Sequence, residues 1–307
     1  MIVIENFNLY SNSYHTDMLL LVWNQILGVE NQVSLLQGLI QSFILGIVQG
    51  ITEFLPISST AHLLIFTKIF AWQELGSKDF VDAIQFGSVI AIVIYFWSVI
   101  SGLIKGAIKA VKTKDWTIEE WKITVGIIVG TLPALILGFL FKDAIPENAL
   151  VIGIMSLVMS VLLGLAEKFG SRKKGFDSLE IKDGLLVGLG QTIALLPGAS
   201  RSGSTLTTAL FLGLERDAAA KFSFLLGFPT LTIATLYKSL KIVKLFSQDH
   251  TLVILLIVGI ISSFIFSYLS IAFLMRYLQT KDTFVFVWYR LAFGIVILLA
   301  LANGWQG

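Results

Sequence analysis

Two stretches place acid, base and hydroxyl groups inside otherwise apolar sequence: Gln49-Gly50-Ile51-Thr52-Glu53-Phe54-Leu55-Pro56-Ile57-Ser58-Ser59-Thr60-Ala61-His62 and Pro197-Gly198-Ala199-Ser200-Arg201-Ser202-Gly203-Ser204-Thr205. Gln49 and Glu53 are four residues apart, so on a helix they share a face and can address one point. After Pro56, Ser58, Ser59 and Thr60 are residue types that cap a helix N-terminus, and such an end attracts anions. His62 then falls in the first turn of that helix. Arg201 offers a planar fork for phosphate oxygens, and Ser200, Ser202 and Thr205 can complete an oxyanion cradle. The chemistry expected is phosphate binding with Glu53 and His62 as acid and base. The plainer reading is structural: Arg201 paired with Glu53, His62 bonding a neighbouring helix, and hydroxyls used for packing.

These groups must be held in a membrane. Of the 307 residues, 56% are hydrophobic and 14% charged, and mean hydropathy is +0.85, far from a soluble composition. The net charge of +2 argues against a nucleic-acid surface, and the absence of Cys excludes disulfides and thiolate metal sites. No Lys or Arg occurs in the first 67 residues, so Met1 to Glu30 does not read as a secretory signal. The apolar piece Met18 to Val29 is short for a span and is expected to be an interfacial helix within an extension covering residues 1–34.

The expected fold is an all-α polytopic membrane protein. Spans are predicted at Ala83–Ile100, Ile123–Phe141, Leu150–Ala166, Phe222–Tyr237, Thr251–Met275 and Phe284–Ala302, each near the length that crosses ~30 Å of hydrocarbon. Leu35–Phe70 and Leu185–Leu214 are broken near the middle by Pro56 and by Pro197-Gly198, and read as re-entrant hairpins of two half-length helices. Irregular backbone at that depth must be buried in protein or line a cavity. One hairpin plus three spans occurs twice, over 35–166 and 167–307. The odd number of crossings makes this an inverted repeat with its site near the midplane. Aligning Pro56 with Pro197 pairs Ser59 with Ser200.

Basic residues orient the chain. Lys105, Lys109, Lys112, Lys114 and Lys122 follow the first span, and Lys168, Arg172, Lys173, Lys174 and Lys182 follow the third, which puts both loops in the cytoplasm. Lys142 is the single basic residue between them, whereas Lys238, Lys241 and Lys244 dissent on a loop expected outside. The first hairpin then opens to the outer face.

In these two motifs, and in Phe222-Ser-Phe-Leu-Leu, the chain resembles the undecaprenyl-diphosphate phosphatase family of the bacitracin-resistance type. The resemblance runs from about Leu35 to the C-terminus. It implies a bacterial plasma-membrane hydrolase that removes the terminal phosphate of the C55 prenyl diphosphate carrier, serving peptidoglycan synthesis and antibiotic resistance. It implies Glu53 and His62 as essential acid and base, Ser59 as the motif hydroxyl, and Ser200, Arg201 and Thr205 as the phosphate-binding group. Ser58, Thr60 and Ser202 join them as substrate-binding candidates. The family is associated with Mg or Ca, for which Glu53 and Gln49 are the candidate ligands. Gln49 stands where the family can have Glu, which shifts that role onto Glu53. Expected partners are the lipid substrate and the bilayer, with a homodimer as the candidate assembly.

The nucleophile stays open among Ser59 activated by His62, His62 itself, and water activated by His62, with a His62-assisted attack preferred. The competing class is a transporter or flippase of an anion or lipid phosphate, since broken helices also build carriers. Arg290, the remaining charge in an apolar span, is expected to bond a carbonyl or an acid and is left outside the core site.

Overall fold

A chain in hydrocarbon satisfies its backbone within helices or within a closed barrel, and helices account for nearly all of the described residues here. The computed structural model describes residues 29–305 apart from 73, 74, 76, 142, 143, 145–147 and 247–249, with side chains from Leu35 onward except over 238–250. The helices are α1 Val29–Phe54, α2 Ser59–Ile69, α3 Lys78–Tyr95, α4 Trp97–Thr113, α5 Glu119–Leu140, α6 Ala149–Phe169, α7 Ile181–Gln191, α8 Arg201–Phe211, α9 Arg216–Phe246, α10 His250–Leu278 and α11 Phe284–Ala302. Short 3-10 turns cover Phe176–Ser178 and Thr192–Leu195. Most of the expected Met18–Val29 helix lies outside the described residues, as does Lys142. The boundary drawn after residue 34 falls inside α1.

Six helices are long and apolar enough to cross a membrane: Leu35–Phe54, Glu119–Leu140, Ala149–Phe169, Arg216–Tyr237, Thr251–Leu278 and Phe284–Ala302. The chain is therefore a multi-pass membrane protein. Five of the six match predicted spans. The sixth, Leu35–Phe54, corrects the reading of the first hairpin, whose arms are unequal at 26 and 11 residues. In the second stretch α7 and α8 have 11 residues each.

The expected span Ala83–Ile100 is also corrected. Its helix stops at Tyr95, and α4 leaves it at 68°. Phe96, 3% exposed, sits at the corner. The apolar run continues to Ile100 without a gap, so hydropathy could not see the bend. Lys105, Lys109 and Lys112 consequently lie on a helix and not in a loop. The backbone of α9 likewise stays helical through Lys238, Lys241 and Lys244.

Glycines set the helix pairs. Gly46 and Gly50 of α1 lie against the α10 backbone, and a Cβ on either would collide with Gly259 or Ser263. Gly184 and Gly188 of α7 lie in the same way against Gly126 and Gly130 of α5. Such small-residue strips let backbones approach where no hydrophobic effect drives helices together. The pairing is reciprocal between the halves of the chain: α1 with α10 and α7 with α5, then α3 with α9 and α6 with α11. At one end, Glu167 is clamped by Arg216, by Arg172 at 3.3 Å and by the Thr283 hydroxyl at 2.9 Å, which ties α6, α9 and the start of α11.

Gly184→Leu drives a side chain into the Gly126 backbone and is expected to lower the midpoint of thermal unfolding in detergent by about 5 °C or more. Gly102→Leu, where nothing lies within 4 Å of the new Cβ, serves as the control and should leave the midpoint unchanged.

Candidate active site

The carboxylate of Glu53, in the last turn of α1, is the point where both broken segments meet. Its Oε1 accepts from the Arg201 guanidinium at 2.6 Å. Its Oε2 accepts from the Ser59 hydroxyl at 2.6 Å and from the Gln49 amide at 2.9 Å. Glu53 is 7% exposed, so these charge-assisted bonds act with little competition from solvent. Arg201 also donates to the Gly227 carbonyl of α9 at 2.7 Å. Two of its five N-H groups are used in this way. The expected alignment of Gln49 and Glu53 on one face holds, and Arg201 is paired with Glu53 as the structural reading anticipated.

Behind Glu53 a chain of buried polar groups runs inward. The Gln49 amide reaches Ser88 Oγ at 3.4 Å, and Ser88 meets Ser267 at 2.9 Å and Ser263 at 3.3 Å. Gln49 Oε1 is buried without a partner among the described residues. The amide orientation follows from chemistry, because a flipped Gln49 would set oxygen against the Glu53 carboxylate.

Both half-helices begin on a strained serine. Ser58 caps α2 with φ 76 and ψ 100, and Ser200 caps α8 with φ 71 and ψ 123. For a residue with a Cβ such backbone costs of order 1–3 kcal/mol, and it occurs at the matching position of both breaks. Ser58 Oγ accepts from Ala61 N at 3.4 Å and Ser200 Oγ from Gly203 N at 3.0 Å. The structural counterpart of Ser200 is thus Ser58, one residue away from the Ser59 pairing that the prolines suggested. The reason lies in the helix starts: α2 begins at Ser59, three residues after Pro56, whereas α8 begins at Arg201, four residues after Pro197.

The remaining hydroxyls divide. Ser202 donates to the carbonyls of Glu53 at 3.2 Å and Leu55 at 3.1 Å, so it stitches the second break to the first. Thr205 bonds back to Arg201 O at 2.9 Å within its own helix. Thr60 is exposed.

His62 lies in the first turn of α2, as expected, but its ring bonds elsewhere than to Ser59 or Glu53. Nδ1 meets Ser58 O at 2.7 Å and Nε2 meets the Tyr289 hydroxyl of α11 at 2.6 Å. A carbonyl only accepts, so Nδ1 carries the proton. In the neutral ring, Nε2 then accepts from the Tyr289 O-H. Phe293 stacks on the ring at 4.4 Å between centroids. His62, Ile51, Ile65, Phe66 and Phe293 belong to the lining of an open groove of about 270 Å³ between α1 and α2.

Arg290 of α11 is 1% exposed and joins the two breaks. It donates to Pro56 O at 2.9 Å, Gly198 O at 2.7 Å and Ala199 O at 3.2 Å. The carbonyl role expected for it holds, though not its reach to both motifs. Sequence reasoning missed Tyr289 altogether. Its one signal was a hydroxyl-bearing residue beside the intramembrane Arg290.

Tyr289→Phe keeps the stack and removes one hydrogen bond from His62. If His62 acts in the chemistry, turnover should fall about ten-fold, equivalent to ~1.4 kcal/mol, with KM within about two-fold of the parent. Unchanged steady-state constants would show that the bond only fixes a side chain.

The sequence matches the family described as bacitracin resistance protein BacA over residues 42–296. It is 52% identical to an undecaprenyl-diphosphatase of Thermosynechococcus vestitus over 267 residues, covering 86% of this chain and 96% of the relative. An undecaprenyl-diphosphatase of Trichormus variabilis is 47% identical over 87% of this chain and 85% of its own length. Another from Synechocystis sp. is 48% identical over 90% and 86%. On these matches, which span both broken segments and the helices that join them, the chain belongs to the bacitracin resistance protein BacA family.

Proposed function

We propose that this protein is an undecaprenyl-diphosphate phosphatase that hydrolyses the C55 prenyl diphosphate to its monophosphate and inorganic phosphate, recycling the lipid carrier for cell-wall synthesis. The observation that carries the reading is the Glu53 carboxylate bonded at once by Ser59 from its own hairpin and Arg201 from the other. A diphosphate entering between the two capped helix ends competes with Glu53 for the Arg201 fork. Binding then frees one carboxylate oxygen and leaves the other on the Ser59 hydroxyl.

Attack by Ser59 Oγ on the terminal phosphorus breaks the anhydride bond, delivers the hydroxyl proton to Glu53 and releases the prenyl monophosphate. Water hydrolyses the phosphoserine. The helix N-termini and Arg201 stabilise charge on the transferred phosphoryl group. The 2.6 Å bond from Ser59 to Glu53 favours this route over activation of Ser59 by His62. A second reading, water activated by His62, is favoured by the unprotonated Nε2 on Tyr289.

Among the described residues no group of three or more His, Cys, Asp or Glu is placed to hold a metal. A Mg or Ca ion that arrives with the diphosphate would be held by a Glu53 oxygen and, once the Gln49 amide turns over, by Gln49 Oε1, since such ions commonly share one or two side chains with phosphate oxygens. Gln49 Oε1, buried and unpartnered, is the free donor. The ion would supply charge neutralisation on the phosphates.

The prenyl chain needs no enclosed pocket. An open apolar groove of Ile47, Val48, Ile51, Ile65, Phe66 and Ile69, which His62 also lines, would hold its first isoprene units. The two halves, 35–166 and 167–307, form an inverted repeat on this reading. It is supported by the reciprocal helix pairing and the matched strained caps. The basic end faces the cytoplasm of the plasma membrane, and the site opens to the outer face. A homodimer is compatible with all of this.

Purified protein in detergent should release inorganic phosphate from undecaprenyl diphosphate, and Glu53→Gln or Arg201→Lys should lower the rate at least about ten-fold. Lipid movement without phosphate release would instead support a flippase. Trapping with substrate labelled in the terminal phosphate should load wild type and not Ser59→Ala, and a Ser59→Ala enzyme with full turnover would remove the serine from the chemistry.

A chelator is expected to suppress turnover. Gln49→Glu, which adds a carboxylate, should lower the half-saturating Mg or Ca concentration several-fold. An unchanged metal titration would take Gln49 out of the ligand set.

Orientation can be read because the chain has no native Cys. An impermeant thiol reagent in intact cells should label Asn148→Cys and spare Gly175→Cys. The reverse pattern inverts the topology.

A further inference from the structure

Three sectors divide the surface of α4. Leu103, 7% exposed, and Ala110, fully buried, face the protein, and Gly106 sits against Glu120 of α5. Trp97, Ile104, Ile108 and Val111 are 63%, 52%, 50% and 54% exposed and fall within about 60° of one another at about 100° per residue. Lys105, Lys109 and Lys112 are exposed and occupy a second sector about 100° further round. An apolar stripe beside a basic stripe, on a helix turned 68° from α3, is the build of a helix lying in a bilayer surface.

The neighbouring charges explain why these lysines are available. At the same end of the bundle Lys122 pairs with Glu180 at 2.9 Å, Lys174 with Asp183, and Arg172 and Arg216 with Glu167. Lys105, Lys109 and Lys112 make no salt bridge among the described residues. Asp115, in the turn after α4, is held by the amide and hydroxyl of Thr117. Three cations without a salt bridge among the described residues, of which Lys109 feels the Asp115 carboxylate at longer range, are therefore presented in one row.

We propose that α4 is a docking surface for anionic phospholipids, with Lys105, Lys109 and Lys112 on the headgroups and Trp97, Ile104, Ile108 and Val111 among the first acyl carbons. The occupant is the bilayer's own lipid. A row of three exposed cations suits phosphodiester headgroups, and an apolar stripe of four side chains suits the acyl layer beneath them. The same lysines in a solvated loop, as the sequence suggested, would carry no apolar partner on the adjacent face. The proposal does not depend on the phosphatase reading.

The absence of native Cys allows single spin labels in vesicles of phosphatidylcholine and phosphatidylglycerol. A label at Ile108→Cys should collide with dissolved oxygen in preference to a water-soluble nickel chelate, and a label at Lys109→Cys should show the reverse. With spin-labelled lipids, wild type should motionally restrict phosphatidylglycerol several-fold more than phosphatidylcholine. The Lys105→Gln, Lys109→Gln, Lys112→Gln triple variant, folded and active in detergent, should lose most of that preference. A nickel-accessible Ile108 label, equal restriction of the two lipids by wild type, or an undiminished preference in the triple variant overturns the proposal. So does efficient disulfide-linked dimerisation of Ile108→Cys, which would give the face to a second copy of the chain.

Discussion

A helix that stops inside hydrocarbon leaves carbonyl groups where there is no water to take them, each at a cost of several kcal/mol. This chain breaks its helices before α2 and before α8, and one guanidinium serves both breaks. Arg290 bonds the carbonyls of Pro56, Gly198 and Ala199 from a third helix, so the two irregular segments are joined through it. A lone Arg at that depth would itself be expensive, at least ~2.5 kcal/mol on insertion scales. The cation and the orphaned carbonyls offset each other. Every feature of the site presupposes this junction: the strained caps, the stitch from Ser202, and the approach of Arg201 to Glu53.

The reciprocity of the packing carries this constraint across the molecule. One long helix of each half, α5 or α10, holds the leading arm of the other half's broken segment through glycine contacts that tolerate no Cβ. Neither broken segment could be positioned by its own half alone. The carboxylate of Glu53 and its counter-ion Arg201 come from opposite halves, so the site exists only in the assembled fold. Strain at Ser58 and Ser200 persists because this surrounding structure over-determines it. What the strain secures is a helix N-terminus aimed at the same small volume from each side.

Much of this was legible in the residues. Charge and hydroxyls inside apolar runs marked the site, and five of the six spans followed from length and hydropathy. Gln49 and Glu53 shared a face because helical periodicity required it. What hydropathy could not resolve was direction. The bend at Phe96 lies within unbroken apolar sequence, and the lysines beyond it looked like a loop because charge ended the run. The offset between Ser58 and Ser59 as the partner of Ser200 depended on where α2 and α8 begin, and the prolines mark that place only within a few residues. Tyr289 could not be found because it meets His62 across 227 positions, and no local pattern records that contact.

The partition of the polar groups bears on mechanism. Had His62 been the base for Ser59, the two side chains of α2 would have turned toward each other. Instead Ser59 turns to Glu53, while His62 turns outward to Tyr289 and the groove. One hairpin therefore presents two functions on two faces of the same first turn: a hydroxyl and carboxylate inward, where Arg201 and the second helix end converge, and an imidazole outward, where the lipid would enter. A diphosphate lipid has the same duality, a doubly charged head on an apolar tail. The cluster of Glu53, Ser59 and Arg201 suits the head, and the apolar groove beside His62 suits the tail. The separation of the imidazole from the hydroxyl and carboxylate follows from the direction of two hydrogen bonds.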